Sequence, residues 1–243
     1  MPIFYAPQIN KKSQKIEIIG EEFNHITNSL RKKTDESISL TNGKGLLASA
    51  NIQSISKKEI SLHITEITET KKSYPYISLS FSLLKKNNEL IIEKCTELGI
   101  YEFFPFISTR TVKKNYSRNF VKRLDKVAIS AMKQCDSVFL PQIHPTLLFP
   151  EQLSLIAQKY FPILAWEEEN KNFLPEVLGS TEKNICLIVG PEGGFEKQEI
   201  EIARNHKAKV ISLGNHILRA ETAAISFASN VIFYQLGKNK KFY

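Results

Sequence analysis

The order of hydrophobic and polar positions divides the chain into two parts. In the first seventy residues apolar and polar side chains alternate, as in strands with one buried face. The stretch Glu21–Lys33 instead repeats its apolar residues at helical spacing. Strands are predicted at Ile16–Ile19, Ile38–Thr41, Leu46–Ile55 and Ile60–Ile67. Several short strands with one helix predict a small β-barrel.

The pattern changes after the polar, proline-containing stretch Lys71–Pro75, so we place a domain boundary between residues 72 and 73. Beyond it, in residues 73–243, short apolar runs alternate with amphipathic segments. Predicted strands are Ile77–Leu84, Phe103–Ile107, Ile163–Trp166, Ile185–Val189 and Val210–Leu213. Predicted helices are Asn88–Leu98, Phe120–Gln134, Glu196–His206 and Ala220–Leu236. This alternation predicts an α/β domain with a parallel sheet covered on both faces.

Composition adds a polyanionic partner to this picture. The chain has 243 residues, a hydrophobic fraction of 42% and a formal charge of +8. Residues 105–140 hold eight Lys and Arg against two Asp. Such a stretch favours phosphate binding, although a solvated helix face is as good a reading for any single lysine. The basic residues that we expect to bind this polyanionic partner, RNA if the motifs described below are taken into account, are Arg110, Lys113, Lys114, Arg118, Lys122 and Arg123.

The remaining signals argue against several classes. Three widely spaced cysteines and five histidines form no metal-ligand spacing, so no metal is expected. The N-terminus lacks the apolar run of a signal peptide, and no stretch approaches the roughly 20 apolar residues of a membrane span. We therefore expect a cytoplasmic protein without a membrane partner.

Two loops carry the candidate chemistry. The strand Ile185–Val189 runs into Gly190-Pro191-Glu192-Gly193-Gly194, and a helix follows. Ligands of open α/β sheets bind beyond the carboxyl ends of strands, and glycines let the backbone approach them. A tight turn without a ligand is an equally good reading of this loop alone, and the nucleotide P-loop pattern is absent. A second glycine loop, Leu213 to Ala223, follows the next strand and favours the ligand reading.

These residues resemble a known family. GPEGGF followed by LGNHILRAETAA is similar to the RsmE family of the SPOUT methyltransferase superfamily. Weaker similarities are NELIIEKCTELG at Asn88–Gly99 and an N-terminal His…Leu-Arg motif ending at Arg31, which adds Arg31 to the expected RNA-binding residues. The resemblance implies a PUA-like N-terminal β-barrel and a SPOUT-type trefoil-knotted parallel-sheet domain. It also implies a homodimer that uses S-adenosyl-L-methionine to methylate N3 of uridine 1498 in 16S ribosomal RNA of the small subunit.

The resemblance assigns roles to the two loops. Arg219 is expected to hold the target base or a phosphate. Glu221 and Glu192 are weaker candidates for the base that removes the N3 proton, and a charge at the helix N-terminus is the better reading of Glu221. The expected cofactor contacts are Gly190, Glu192, Gly193, Leu213, Gly214, Ile217 and Leu218.

Two other functions remain open at this point: a non-catalytic RNA-binding or ribosome-assembly factor, and a related SPOUT methyltransferase acting on transfer RNA. The glycines and Arg219 favour the enzyme, since a binding protein would not need them. One departure concerns the RNA side. Gln134-Cys135-Asp136-Ser137 stands where the family commonly has Gln-Ser-Gly-Arg.

Overall fold

The computed structural model describes residues 2–72, 74–114, 117–179 and 183–239. The chain divides into two compact units. The first comprises Met1–Lys72 with Ile129–Leu140, and the second comprises Ser73–Ala128 with Pro141–Tyr243. The boundary placed after residue 72 from the polar, proline-containing stretch stays a prediction, and the return of residues 129–140 to the first unit had no signal in the sequence.

The first unit is a five-stranded sheet around an aliphatic core. In chain order it contains β1 (Ile3–Tyr5), β2 (Lys15–Ile19), α1 (Gly20–Asn24), β3 (Ser37–Thr41), β4 (Leu46–Ile55) and β5 (Glu59–Glu69). The sheet order is β1-β3-β4-β5-β2, with β1 parallel to β3 and the other pairs antiparallel. The four predicted strands are confirmed. Strand β1 was missed because three residues are too few for an alternation to register.

The predicted helix over Glu21–Lys33 is wrong in its length. α1 ends at Asn24 and continues only as one π-helical turn, His25–Ser29. Arg31 then takes φ 51°, a left-handed conformation that no helix accommodates. Leu30, one of the apolar residues whose spacing suggested the helix, is 39% exposed.

The second unit is built on parallel strands. Its strands are β6 (Ile77–Ser82), β7 (Glu102–Ile107), β8 (Gln142–Ile143), β9 (Leu147–Leu148), β10 (Phe161–Ala165), β11 (Ile185–Val189) and β12 (Lys209–Ile211). Its helices are α2 (Asn88–Glu97), α3 (Arg118–Gln134, of which residues from Ile129 belong to the first unit), α4 (Phe149–Lys159), α5 (Leu174–Leu178), α6 (Lys197–Asn205) and α7 (Ala220–Asn239). The sheet order is β12-β10-β11-β6-β7-β8, and β9 pairs with β7.

Helices cover both faces of this sheet, as the alternating pattern predicts. The central strands β6 and β11 are buried along their whole length. Helix α7 packs on both of them and on α2. On the other face, α4 and α6 close an aromatic core around Phe106, Phe149 and Phe195. Because every strand pair is parallel, β6, β10, β11 and β12 all end at one edge of the sheet.

Candidate functional site

The loops that follow these four strands surround one cavity of about 580 Å³. That volume lies within the usual range for small-molecule sites, about 300 to 1,000 Å³. The predicted loops after β11 and β12 form two of its walls. The other two walls come from the loop after β6, at Lys85–Asn87, and from Trp166 and Glu167 after β10. The predicted residues in the wall are Gly190, Glu192, Leu213, Gly214, Ile217, Leu218, Arg219 and Glu221.

Two glycines of the β11 loop stand where a side chain would collide with neighbouring residues. A Cβ on Gly190 would lie 2.9 Å from Cε2 of Phe195, whose ring is buried in the aromatic core. Gly194 has φ 70°, and a Cβ there would overlap the carboxylate of Glu167. The loop is therefore fixed at both ends by packing as well as by backbone conformation.

Gly193 lies beside the cavity and does not form part of its wall. The guanidinium Nη1 of Arg110 donates a 2.9 Å hydrogen bond to the Gly193 carbonyl, and Nε lies 3.6 Å from Oε1 of Glu196. The neighbouring N–H of Thr109 donates to the buried Glu199 carboxylate at 3.0 Å. Arg110, predicted to bind RNA, thus holds the β11 loop through a residue that lies outside the cavity wall.

Sequence reasoning missed the loop after β6. The backbone N–H of Lys85 donates to Oε1 of Glu192 at 2.8 Å, which joins this loop to the β11 loop. The side-chain amide of Asn87, a residue with φ 67°, donates to Oε1 of Glu221 at 2.9 Å. The available signal was position, because these residues directly follow a predicted strand of the same sheet.

The loop after β12 presents both apolar and cationic groups. Ile217 is 86% exposed, although an aliphatic side chain of this size gains by burial. The Ser212 hydroxyl accepts from the N–H of Gly214 and donates to its carbonyl, which closes the turn. The Arg219 guanidinium is exposed and contacts no hydrogen-bond or ion-pair partner among the residues that the structure describes. This arrangement leaves Arg219 available to a ligand at the cavity.

The expected RNA-binding residues lie in both units. Arg31, in the first unit, is exposed. In the second, Lys113, Lys114 and Lys122 are exposed, while Arg123 pairs with Glu89 at 2.5 Å. The side chain of Arg118 lies outside the described part of the chain.

The turn at the end of α3 bears on the departure from Gln-Ser-Gly-Arg. Asp136 has φ 54°, the region that favours glycine, and aspartate is among the residues that tolerate it. The chain therefore makes a left-handed turn at this position without glycine.

The described residues offer neither a metal site nor a membrane-spanning helix, and one buried thiol has a raised pKa. Within the described ranges, no group of three or more His, Cys, Asp or Glu could hold a metal ion. No helix among the same residues is long and apolar enough to span a membrane. Burial raises the pKa of the Cys95 thiol to about 12.

Comparison with known proteins identifies the class. A family model described as an RNA methyltransferase domain matches residues 70–232, and one described as an RNA methyltransferase PUA domain matches residues 18–65. The chain is thus an RNA methyltransferase by family.

The relatives give the particular family. The ribosomal RNA small subunit methyltransferase E of Bacillus subtilis is 31% identical over 90% of this chain and 89% of its own length. That of Aquifex aeolicus is 32% identical over 71% of this chain and 75% of its own. The Neisseria gonorrhoeae enzyme, solved bound to S-adenosyl methionine, is 25% identical with a TM-score of 0.87, covering 96% of this chain and 98% of its own. The chain belongs to the RsmE family of RNA methyltransferases, and the predicted fold class is confirmed.

Proposed function

We propose that this protein transfers a methyl group from S-adenosyl-L-methionine to N3 of uridine 1498 in 16S ribosomal RNA. The observation that carries the proposal is the cavity between two glycine loops, with Arg219 in its wall and without a side-chain partner among the described residues. Family membership supports methylation of RNA, and the names of the relatives support ribosomal RNA of the small subunit. The nucleotide and its N3 atom rest on the motif resemblance.

The cavity fits the cofactor in size and chemistry. Leu213, Ile217 and Leu218 supply apolar surface for the adenine ring, and the glycine loops supply backbone donors and acceptors. Bound S-adenosyl-L-methionine supplies an activated methyl group on a sulfonium, so the protein's main task is alignment with the acceptor. Gly190, Glu192 and Gly214 would contact the cofactor. Gly193 would instead help to position the loop, through the hydrogen bond that its carbonyl accepts from Arg110.

The acceptor nitrogen must lose a proton. Arg219, free of protein partners among the described residues, would hold the uracil and stabilise the negative charge that develops on O2 or O4. Glu221 and Glu192 each accept a hydrogen bond, from Asn87 and from the Lys85 backbone respectively. Both carboxylates are thus held by contacts within the protein, and we assign the main catalytic role to Arg219. Glu221 or Glu192 would take up the proton that leaves N3.

The proposed partners are the RNA of the small subunit and a second copy of this chain. Arg31, Lys113, Lys114 and Lys122 would neutralise phosphates of the small-subunit RNA. Helix α7 exposes Phe233 (76%) and Leu236 (53%), which supports a homodimer. A substrate in the ribosome agrees with a cytoplasmic protein.

Two experiments test the proposal. Calorimetry with S-adenosylhomocysteine should give a saturable isotherm, and the absence of binding by well-folded protein would favour a non-catalytic RNA-binding factor. Methyl transfer from labelled S-adenosyl-L-methionine should then be measured on small subunits that lack the modification, on naked 16S RNA and on transfer RNA. We expect N3-methyluridine in the small-subunit RNA. Methylation of transfer RNA alone would replace the proposed substrate.

A further inference from the structure

Glu167 lies in the cavity wall, and its carboxylate has no role in the proposed function. It follows β10, which lies between β12 and β11 in the sheet, so it stands between the two glycine loops. Its carboxylate occupies the space that a side chain on Gly194 would need. Within the described part of the chain it contacts no hydrogen-bond or ion-pair partner, whereas Glu192 and Glu221 each have one.

The two glutamates that follow have other tasks. Oε1 of Glu169 accepts from the backbone N–H groups of residues 170, 171 and 172, and these bonds lower its pKa. Glu168 lies 3.9 Å from Nζ of Lys197 and is no part of the cavity wall. Of these three consecutive glutamates only Glu167 forms part of the cavity wall, so Glu168 can serve as a matched control.

We propose that Glu167 accepts hydrogen bonds from the two ribose hydroxyls of the cofactor, an inference that rests on the proposed function. An ionised carboxylate only accepts hydrogen bonds, and its two oxygens match a pair of neighbouring hydroxyl donors. The ribose is bonded directly to the adenine, for which Leu213, Ile217 and Leu218 supply the apolar surface in the adjacent loop. A group beside that surface reaches the ribose before it reaches the amino-acid end of the cofactor.

Gly194 has a second role if Glu167 binds the ribose. Any larger residue there would displace the Glu167 carboxylate and close the position from which it reaches the cavity. The glycine would then serve recognition of the ribose as well as the turn itself.

The test compares Glu167→Ala, Glu167→Gln and the control Glu168→Gln by calorimetry. The ligands are S-adenosylhomocysteine and 5′-methylthioadenosine, which keeps the ribose and lacks the amino-acid group. Hydrogen bonds to a charged group predict that Glu167→Ala weakens both ligands by about tenfold or more. Glu167→Gln should lose less, because its amide oxygen still accepts one bond, and Glu168→Gln should bind as the wild type does.

The outcomes separate this inference from the proposed function. Loss of S-adenosylhomocysteine affinity with unchanged 5′-methylthioadenosine affinity would assign Glu167 to the amino-acid end and overturn the ribose contact. Unchanged affinity for both ligands in Glu167→Ala would also overturn it. Failure of the wild-type protein to bind S-adenosylhomocysteine would instead contradict the proposed function. Equal Tm values for the three variants and the wild type will show that binding, not folding, is compared.

Discussion

Replacing Gly190 by alanine should crowd the start of the β11 loop. The new Cβ would lie 2.9, 3.0 and 3.3 Å from three ring atoms of Phe195. That ring cannot yield easily, since it is 3% exposed and its centroid lies 5.0 Å from that of Phe149. Overpacking of this kind costs about 1 to 3 kcal/mol. In a chain of this length each kcal/mol lowers Tm by about 2 to 4 °C.

The assay measures Tm and the Kd for S-adenosylhomocysteine in Gly190→Ala and in a control, Gly179→Ala. A Cβ on Gly179 would lie 3.9 Å from the Tyr234 hydroxyl, an ordinary contact, and its φ of −65° suits alanine. The control should keep or slightly raise Tm. Gly190→Ala should lower Tm and weaken binding by about fivefold or more, which corresponds to about 1 kcal/mol. Equal Tm and Kd in the two variants would refute the packing argument.

Three further experiments test the site and the packing of the fold. Arg110→Ala should weaken S-adenosylhomocysteine binding by about fivefold, because a half-exposed charged hydrogen bond contributes about 1 kcal/mol, whereas Lys114→Ala should not alter Kd. Arg219→Ala should lower methyl transfer far more than cofactor affinity, and full activity would remove it from the site. Iodoacetamide at pH 8 should modify the half-buried Cys135 before Cys95, whose raised pKa leaves almost no thiolate; mass spectrometry of native protein that found Cys95 labelled first would contradict its burial.

The cofactor end of the fold was largely predictable because its signals are local. A buried strand that runs directly into glycines predicts both the strand and the loop after it, and parallel pairing then brings such loops together around one cavity. The loop after β6 was not predicted because its contacts are with residues distant in the sequence. Lys85 and Asn87 carry no motif, and they matter through bonds to Glu192 and Glu221, which are more than one hundred residues away.

Charge was a weaker guide than spacing. Arg110 was grouped with the other basic residues of its stretch, yet its bonds go to Gly193 and Glu196 of its own unit. A formal charge cannot distinguish a cation that binds phosphate from one that binds a carbonyl. The short length of the helix at Glu21–Lys33 was not predicted either, because apolar spacing does not reveal that Arg31 adopts a left-handed conformation.

Nucleoside analysis of 16S ribosomal RNA from a strain lacking this protein tests the central claim most directly. We predict that N3-methyluridine disappears from uridine 1498, and that the wild-type protein restores it while Arg219→Ala does not. Persistence of N3-methyluridine at that position in the deletion strain would contradict the account.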